Sequence, residues 1–271
     1  MDYKIIEQTI EKIAPVECQE DWDNSGWQVR LKTDFSKVLL ALEIRSDVIE
    51  EAVNKGCDLI ITHHPLIFGS LKQVIGLEGI DFSSGEEVDN NNITSNMVID
   101  LIQEGISVYS THTPFDKCMD GNNDFLGYVL QTDVFGPSEN GDGYVRVGEY
   151  SEAKGLDEVM DIAASQLGID RKFFRYAGDT DVKIRRLCWV TGAGSDYMVS
   201  AITENCDLYV TGDLKYHDAQ KAHELGINVL DLGHYATEKT FVRNMASLLS
   251  PLEEQGLEIN RSELDLNPFA I

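Results

Sequence analysis

The 271-residue chain has no apolar run near the roughly 18–20 residues needed to span a bilayer. Its first residues, MDYKIIEQTIEKIAP, carry a charged amphipathic pattern without the apolar stretch or cleavage site of a signal peptide. A cytoplasmic protein without a membrane segment is expected. The five cysteines, Cys18, Cys57, Cys118, Cys188 and Cys206, include no CxxC pair and are odd in number, which excludes a disulfide framework and a zinc knuckle. Basic residues are scarce: 22 Lys and Arg against 47 Asp and Glu leave a net charge of −25. So negative a surface repels phosphate backbones and disfavours nucleic-acid binding. It suits solubility, or an interior that collects cations. Walker A, GxGxxG and GxSxG signatures are absent, which disfavours phosphate loops, nicotinamide chemistry and serine hydrolysis.

What is present is an alternation of short β-branched runs with amphipathic segments, the pattern of an α/β protein. Strands are expected at 38–44, 58–62, 106–110, 186–191, 207–211 and 228–232. Helices are expected at 46–56, 94–105, 195–205, 216–225 and 236–249. The stretch 77–92 reads as a mobile surface loop or lid, and 136–143 as a junction between two folded halves.

The halves read as repeats. Residues 46–64 and 195–213, offset by 149, share seven identities over 19 positions, where average residue usage gives about one. Among the matched pairs are Cys57/Cys206, Asp58/Asp207 and Thr62/Thr211. The cysteines read as packing residues at matching strand entrances. The expected fold is two similar α/β lobes related by internal duplication, with a metal site at the strand ends between them. Their expected bounds are 1–131 and 132–250, and a tail over 251–271 packs on either lobe.

Four of six histidines fall at three expected strand ends. His63 and His64 close one strand before Pro65, His112 and Asp116 follow the second, and His234 and Glu238 follow the third. Parallel strands would gather all of these at the carboxyl edge of a sheet, where open α/β proteins bind ligands. Mixed imidazole and carboxylate donors suit borderline divalent metals better than magnesium or calcium. The segment Gly212–Asp218 could supply Lys215 or His217 to a substrate, or could simply open a helix with Asp213 or Asp218 complementing its dipole. The turn Asp21–Gly26 lines the pocket or is a turn only.

Together, DWDNSGWQV at 21–29, ITHHPLIF at 61–68, STHTPFD at 110–116, TGDLKYHDA at 211–219 and LGHYATEK at 232–239 resemble the GTP cyclohydrolase 1 type 2 family, the Nif-three-like dinuclear-metal hexameric proteins. The resemblance implies a metal pair held by His63, His64, Asp116, His234 and a bridging Glu238. His112 and His217 would lie close by, either supporting the ligands or acting as acid/base groups. It further implies two divalent transition-metal ions per subunit (zinc, iron or manganese) and a homohexamer built as a trimer of dimers. Trp27, Phe68 and Phe115 are candidates for its contact patches, or else fill cores beside their strand ends. The implied activity is metal-dependent hydrolysis of a nucleotide, with GTP ring opening as the family reaction. A metal-dependent phosphoesterase and a non-enzymatic metal-binding or regulatory ring remain alternatives. Pro114 and Trp27 depart from residues common in that family, which bears on substrate fit and on no ligand.

Overall fold

The computed structural model of the chain describes residues 1–81, 83 and 87–269. Among them the strands are, in chain order, β1 Gly26–Val29, β2 Lys37–Ala41, β3 Leu59–Thr62, β4 Ser107–Ser110, β5 Val134–Pro137 and β6 Arg146–Gly155. They continue with β7 Arg175–Ala177, β8 Lys183–Trp189, β9 Leu208–Thr211, β10 Val229–Asp231 and β11 Glu258–Arg261. Two sheets result, one ordered β1-β4-β3-β2-β11 and the other β5-β6-β8-β9-β10-β7. This is a mixed α/β fold.

In the first sheet β11, β2, β3 and β4 run parallel, and β1 is an antiparallel edge on β4. In the second, β8, β9 and β10 run parallel and β7 is an antiparallel edge on β10. In both sheets an antiparallel edge strand precedes three parallel strands in the chain and flanks the last of them. Every residue of β3 and β9 is buried. Their composition, LIIT and LYVT, is the near-continuous apolar run of strands covered on both faces.

The repeat has a hydrogen-bonded cause. Asp58 accepts from the amides of Ser36 and Lys37 at the entry to β2, and its own amide donates to Lys37. Asp207, 149 positions on, accepts from the amides of Arg185 and Arg186 and donates to Arg186. Just upstream the chain leaves each helix through a left-handed residue, Gly56 at φ +68° and Asn205 at φ +53°. The Cys57 and Cys206 amides then bond back to Ala52 and Ala201. Burial lifts the Cys57 thiol to about 11, as suits a packing residue rather than a nucleophile.

The unit boundaries differ from the expected ones. One compact unit comprises Met1–Phe115 and Phe241–Leu266; the other is Asp116–Thr240 with Asn267 and the residues just after it. The first unit reclaims the chain at 241 because the helix Phe241–Glu253 buries its apolar face on β2, β11 and the N-terminal helix Tyr3–Glu11. The tail therefore has a defined place, with β11 in parallel register on β2. Residues 136–143 are no junction: β5 and β6 pair antiparallel across them inside the second sheet. In the expected loop at 77–92, residues 82 and 84–86 lie outside the described residues. Its last residues, from Asn90, already belong to the helix Asn90–Glu104, which Asp89 caps through the Asn92 amide. The expected helix at 195–205 is only a turn at Ser195–Tyr197 and a short helix at Ser200–Thr203, and that at 236–249 is two, His234–Glu238 and Phe241–Glu253. Among the described residues no helix is long and apolar enough to cross a membrane.

Candidate metal centre

In the first unit, β3 delivers His63 and His64 directly after Thr62. Adjacent strand residues ordinarily point to opposite faces. Here both histidine amides donate to one carbonyl, that of Leu42, at 3.1 and 3.0 Å. Sharing one acceptor breaks the ladder's alternation, and the two rings lie with centroids 5.0 Å apart. The Thr62 hydroxyl donates to the His64 carbonyl at 2.8 Å and holds the turn. His112, two residues past β4, brings a third ring, 5.0 Å from His63 and 5.6 Å from His64.

The orientation of these rings is set behind them. His63 Nδ1 lies 3.0 Å from the Thr111 carbonyl. A carbonyl only accepts, so the proton sits on Nδ1 and the lone pair on Nε2. His112 Nδ1 lies 2.9 Å from Asp23 Oδ1, which selects the same tautomer. Asp23 also accepts from the Thr113 amide and hydroxyl, the Ser25 hydroxyl and the Asn24 amide. Burial alone would raise its carboxyl, but hydrogen bonds from His112 and Thr113 hold it well below the usual carboxylate range. The Asp21–Gly26 turn therefore does line the site, through Asp23. His64 Nδ1 has a longer approach, 3.4 Å, to Glu43. His63, His64 and His112 offer ligand atoms within 4.8 Å of one another and form a group that could hold a metal ion. Such Nδ1 partners are the usual supports of imidazole ligands that bind through Nε2.

In the second unit, β10 ends at Asp231 and the short helix His234–Glu238 follows. An i, i+4 spacing puts both termini of that helix on one face. His234 Nε2 lies 2.9 Å from Glu238 Oε2, two acceptor atoms that need a shared proton or a cation. Glu238 is only 4% exposed, where an ionised carboxylate is costly without a positive partner. The other imidazole nitrogen, Nδ1, lies 2.7 Å from Asp213 Oδ2. Space for the carboxylate comes from Gly192, at φ +63°, where any Cβ would fall on Glu238 Oε1. Asp116 is buried in this unit, with Oδ1 accepting from Asn122 Nδ2 at 3.0 Å and its carbonyl accepting from Asn123 Nδ2. Asn123 is itself fixed by the Thr191 amide and the Trp189 indole. Imidazole and carboxylate donors of these kinds suit a borderline divalent metal.

Among the described residues His217 belongs to no group that could hold a metal ion. It is exposed in the first turn of the helix Tyr216–Leu225, its ring against that of Tyr216. Asp218 caps that helix through the Lys215 amide, as the structural reading of the segment expects, whereas Asp213 turns to His234 instead. Sequence reasoning missed the parts played by Gly192, Asn122, Asn123 and the Thr111 carbonyl. The glycines of Thr191-Gly192-Ala193-Gly194, directly after β8, were the available signal.

A family model described as Duf34/NIF3 (NGG1p interacting factor 3) matches residues 1–268. The chain belongs to this family. A GTP cyclohydrolase 1 type 2 homolog from Clostridium perfringens is 31% identical over 96% of this chain and 95% of its own length. A Helicobacter pylori protein named GTP cyclohydrolase 1 type 2 is 34% identical over 89% and 88%. Among solved structures, a Staphylococcus aureus hypothetical protein superposes with a TM-score of 0.86 at 22% identity, covering 100% of this chain and 99% of that one, and shows the fold. Reduced HcgD from Methanocaldococcus jannaschii gives 0.77 at 27% identity, over 97% and 98%.

Proposed function

We propose that this Duf34/NIF3 chain is a cytoplasmic metal-dependent hydrolase acting on a nucleotide. His63, His64, Asp116, His234 and Glu238 would ligate two divalent transition-metal ions, zinc, iron or manganese. The observation that carries the reading is the orientation of His63, His112 and His234, each with Nδ1 held by an oxygen, the support that an imidazole binding through Nε2 ordinarily has. Bound divalent ions would bring the pKa of a coordinated water towards neutrality and polarise the bond under attack. The chain's own contribution is orientation and proton transfer. Asp23 fixes the His112 ring, so its Nε2 could take the proton of an attacking water and then pass it to a departing nitrogen. His217 is a second candidate for that transfer. Opening the guanine five-membered ring of GTP takes two successive hydrolyses and releases C8 as formate. The family names of the relatives support this substrate.

The charge of −25 favours a second reading, because it repels a triphosphate. In that reading the chain is a metal-binding or regulatory ring. Both readings include a homohexamer arranged as a trimer of dimers. Protein purified without chelator or nickel affinity, analysed for metals and then supplied with GTP, separates them. Two metals per chain with release of formate are expected. Metals retained without formate or a pterin product, and without activity on phosphoesters, would establish the second reading. Protein that retains no metal overturns both.

A further inference from the structure

We propose that Asp213 is a positioning residue for His234, held in a left-handed backbone conformation so that its carboxylate selects the imidazole nitrogen offered to a metal. The inference rests on the metal reading above and assigns a residue to its support.

Two observations converge on Asp213. Its φ is +52°, a region that L-residues with a Cβ enter at a cost and glycine enters freely. Glycine is the least costly residue at this position, with asparagine and aspartate next. Its carboxylate, meanwhile, accepts from His234 Nδ1 at 2.7 Å, across 21 residues of chain. Backbone strain beside a functional side chain is a common place for a fold to store it.

The framework that brings these residues opposite each other is rigid. Asp231, 2% exposed at the end of β10, accepts from the Leu214 amide at 3.1 Å and from the Gly233 amide at 2.8 Å. One carboxylate thus ties the loop carrying Asp213 to the loop carrying His234, and Arg175 pairs with it from β7. The loops approach so closely that a Cβ on Gly212 would lie 2.6 Å from the His234 amide nitrogen. With both backbones fixed, rotation about the His234 side chain is the remaining freedom, and the Asp213 carboxylate removes it. Nδ1 then carries the proton, and Nε2 faces Glu238.

Conformational strain and positioning make opposite demands, so they can be separated. Asp213→Gly relieves the backbone and deletes the acceptor; Asp213→Asn keeps an acceptor without its charge. Zinc affinity is measured by chelator competition, and the melting temperature of the metal-free protein alongside it. For Asp213→Gly, one zinc should bind about 10- to 100-fold more weakly, the range for losing the partner of a ligating histidine. The metal-free melting temperature should stay level or rise. Asp213→Asn should recover part of the affinity. Nitrogen NMR of the zinc-loaded wild type should show His234 with metal on Nε2 and the proton on Nδ1. Unchanged affinity in Asp213→Gly, a loss of affinity that tracks a lowered metal-free melting temperature, or metal on Nδ1 would each overturn the proposal. A wild-type chain that takes up no zinc, iron or manganese overturns the metal reading itself, and this inference with it.

Discussion

Glu238 shows how a single side chain in the second unit depends on what its neighbours lack. Its carboxylate is buried beside an imidazole nitrogen and occupies the volume that a side chain at position 192 would need. Gly192→Ala should therefore displace the carboxylate and, at φ +63°, add roughly 1–2 kcal/mol of backbone strain. Glu238→Gln leaves the shape and removes the charge that, in the proposed site, would offset repulsion between two cations. Both substitutions should lose at least one metal per chain by elemental analysis, while far-ultraviolet circular dichroism stays native. Two metals in Glu238→Gln would count against a bridging carboxylate. The difference between the two residues also marks what a sequence discloses. His234 and Glu238 were legible because an i, i+4 pair at a strand end needs only local geometry. Gly192 was not, because its significance lies in a side chain 46 positions away in the chain. Asp213 read as a dipole partner for the same reason: nothing local distinguishes a capping aspartate from one turned towards a histidine.

At the scale of elements, β2, β3, β4, β8, β9 and β10 were legible, whereas β1, β5, β6, β7 and β11 were not. The β2–helix–β3 and β8–helix–β9 segments announced themselves through apolar runs and through Asp58 and Asp207, whose amide contacts recur at the same offset. The last strand, EINR, is polar and half-exposed, so no periodicity marks it. Side-chain contacts secure it instead. Glu51, on the helix Ser46–Lys55, accepts from the Ser262 hydroxyl at 2.6 Å and the Glu263 amide at 3.0 Å, and pairs with Lys55 at 2.8 Å. Burial pushes the Glu51 carboxyl up, but hydrogen bonds from Lys55, Ser262 and Glu263 outweigh it and leave the group below its ordinary value. A carboxyl lowered by folding stabilises the native state above its unfolded pKa of about 4.3 and loses that contribution as pH falls through the folded value. Glu51→Gln should accordingly lower stability by about 1–2 kcal/mol at neutral pH. The gap from wild type should narrow from neutral pH into acid, as the Glu51 carboxyl takes up a proton and both chains come to carry a neutral side chain. Denaturant midpoints at neutral and acid pH test this; a gap that persists in acid would assign the effect to packing.

For the whole molecule, charge and assembly pull in opposite directions. A net charge of −25 on every subunit makes association unfavourable through solvent, yet the family reading carries a closed hexamer. Apolar contact must supply the difference. Of the three aromatic candidates, Phe115 is buried against Phe241, and Trp27 packs among Tyr3, Phe35 and Tyr109 with its indole nitrogen donating to Glu7. Both are accounted for within the first unit. Phe68 is 55% exposed, and Trp22 is 61% exposed, each with its ring against His112. Exposed aromatics of this kind are enriched where subunits meet. If they do seat a second subunit, like-charge repulsion is the term that salt relieves. The Debye length falls from about 10 Å at 0.1 M to about 3 Å at 1 M, which screens charges across a contact while leaving apolar burial in place. The hexamer should therefore persist to lower protein concentration in 1 M salt than in 0.1 M, read by light scattering across a dilution series. Phe68→Ser should shift the same curve towards smaller species at both salt concentrations. A chain that is monomeric in 1 M salt refutes the hexamer, and dissociation promoted by salt would mean that charge pairs, rather than apolar patches, hold it together.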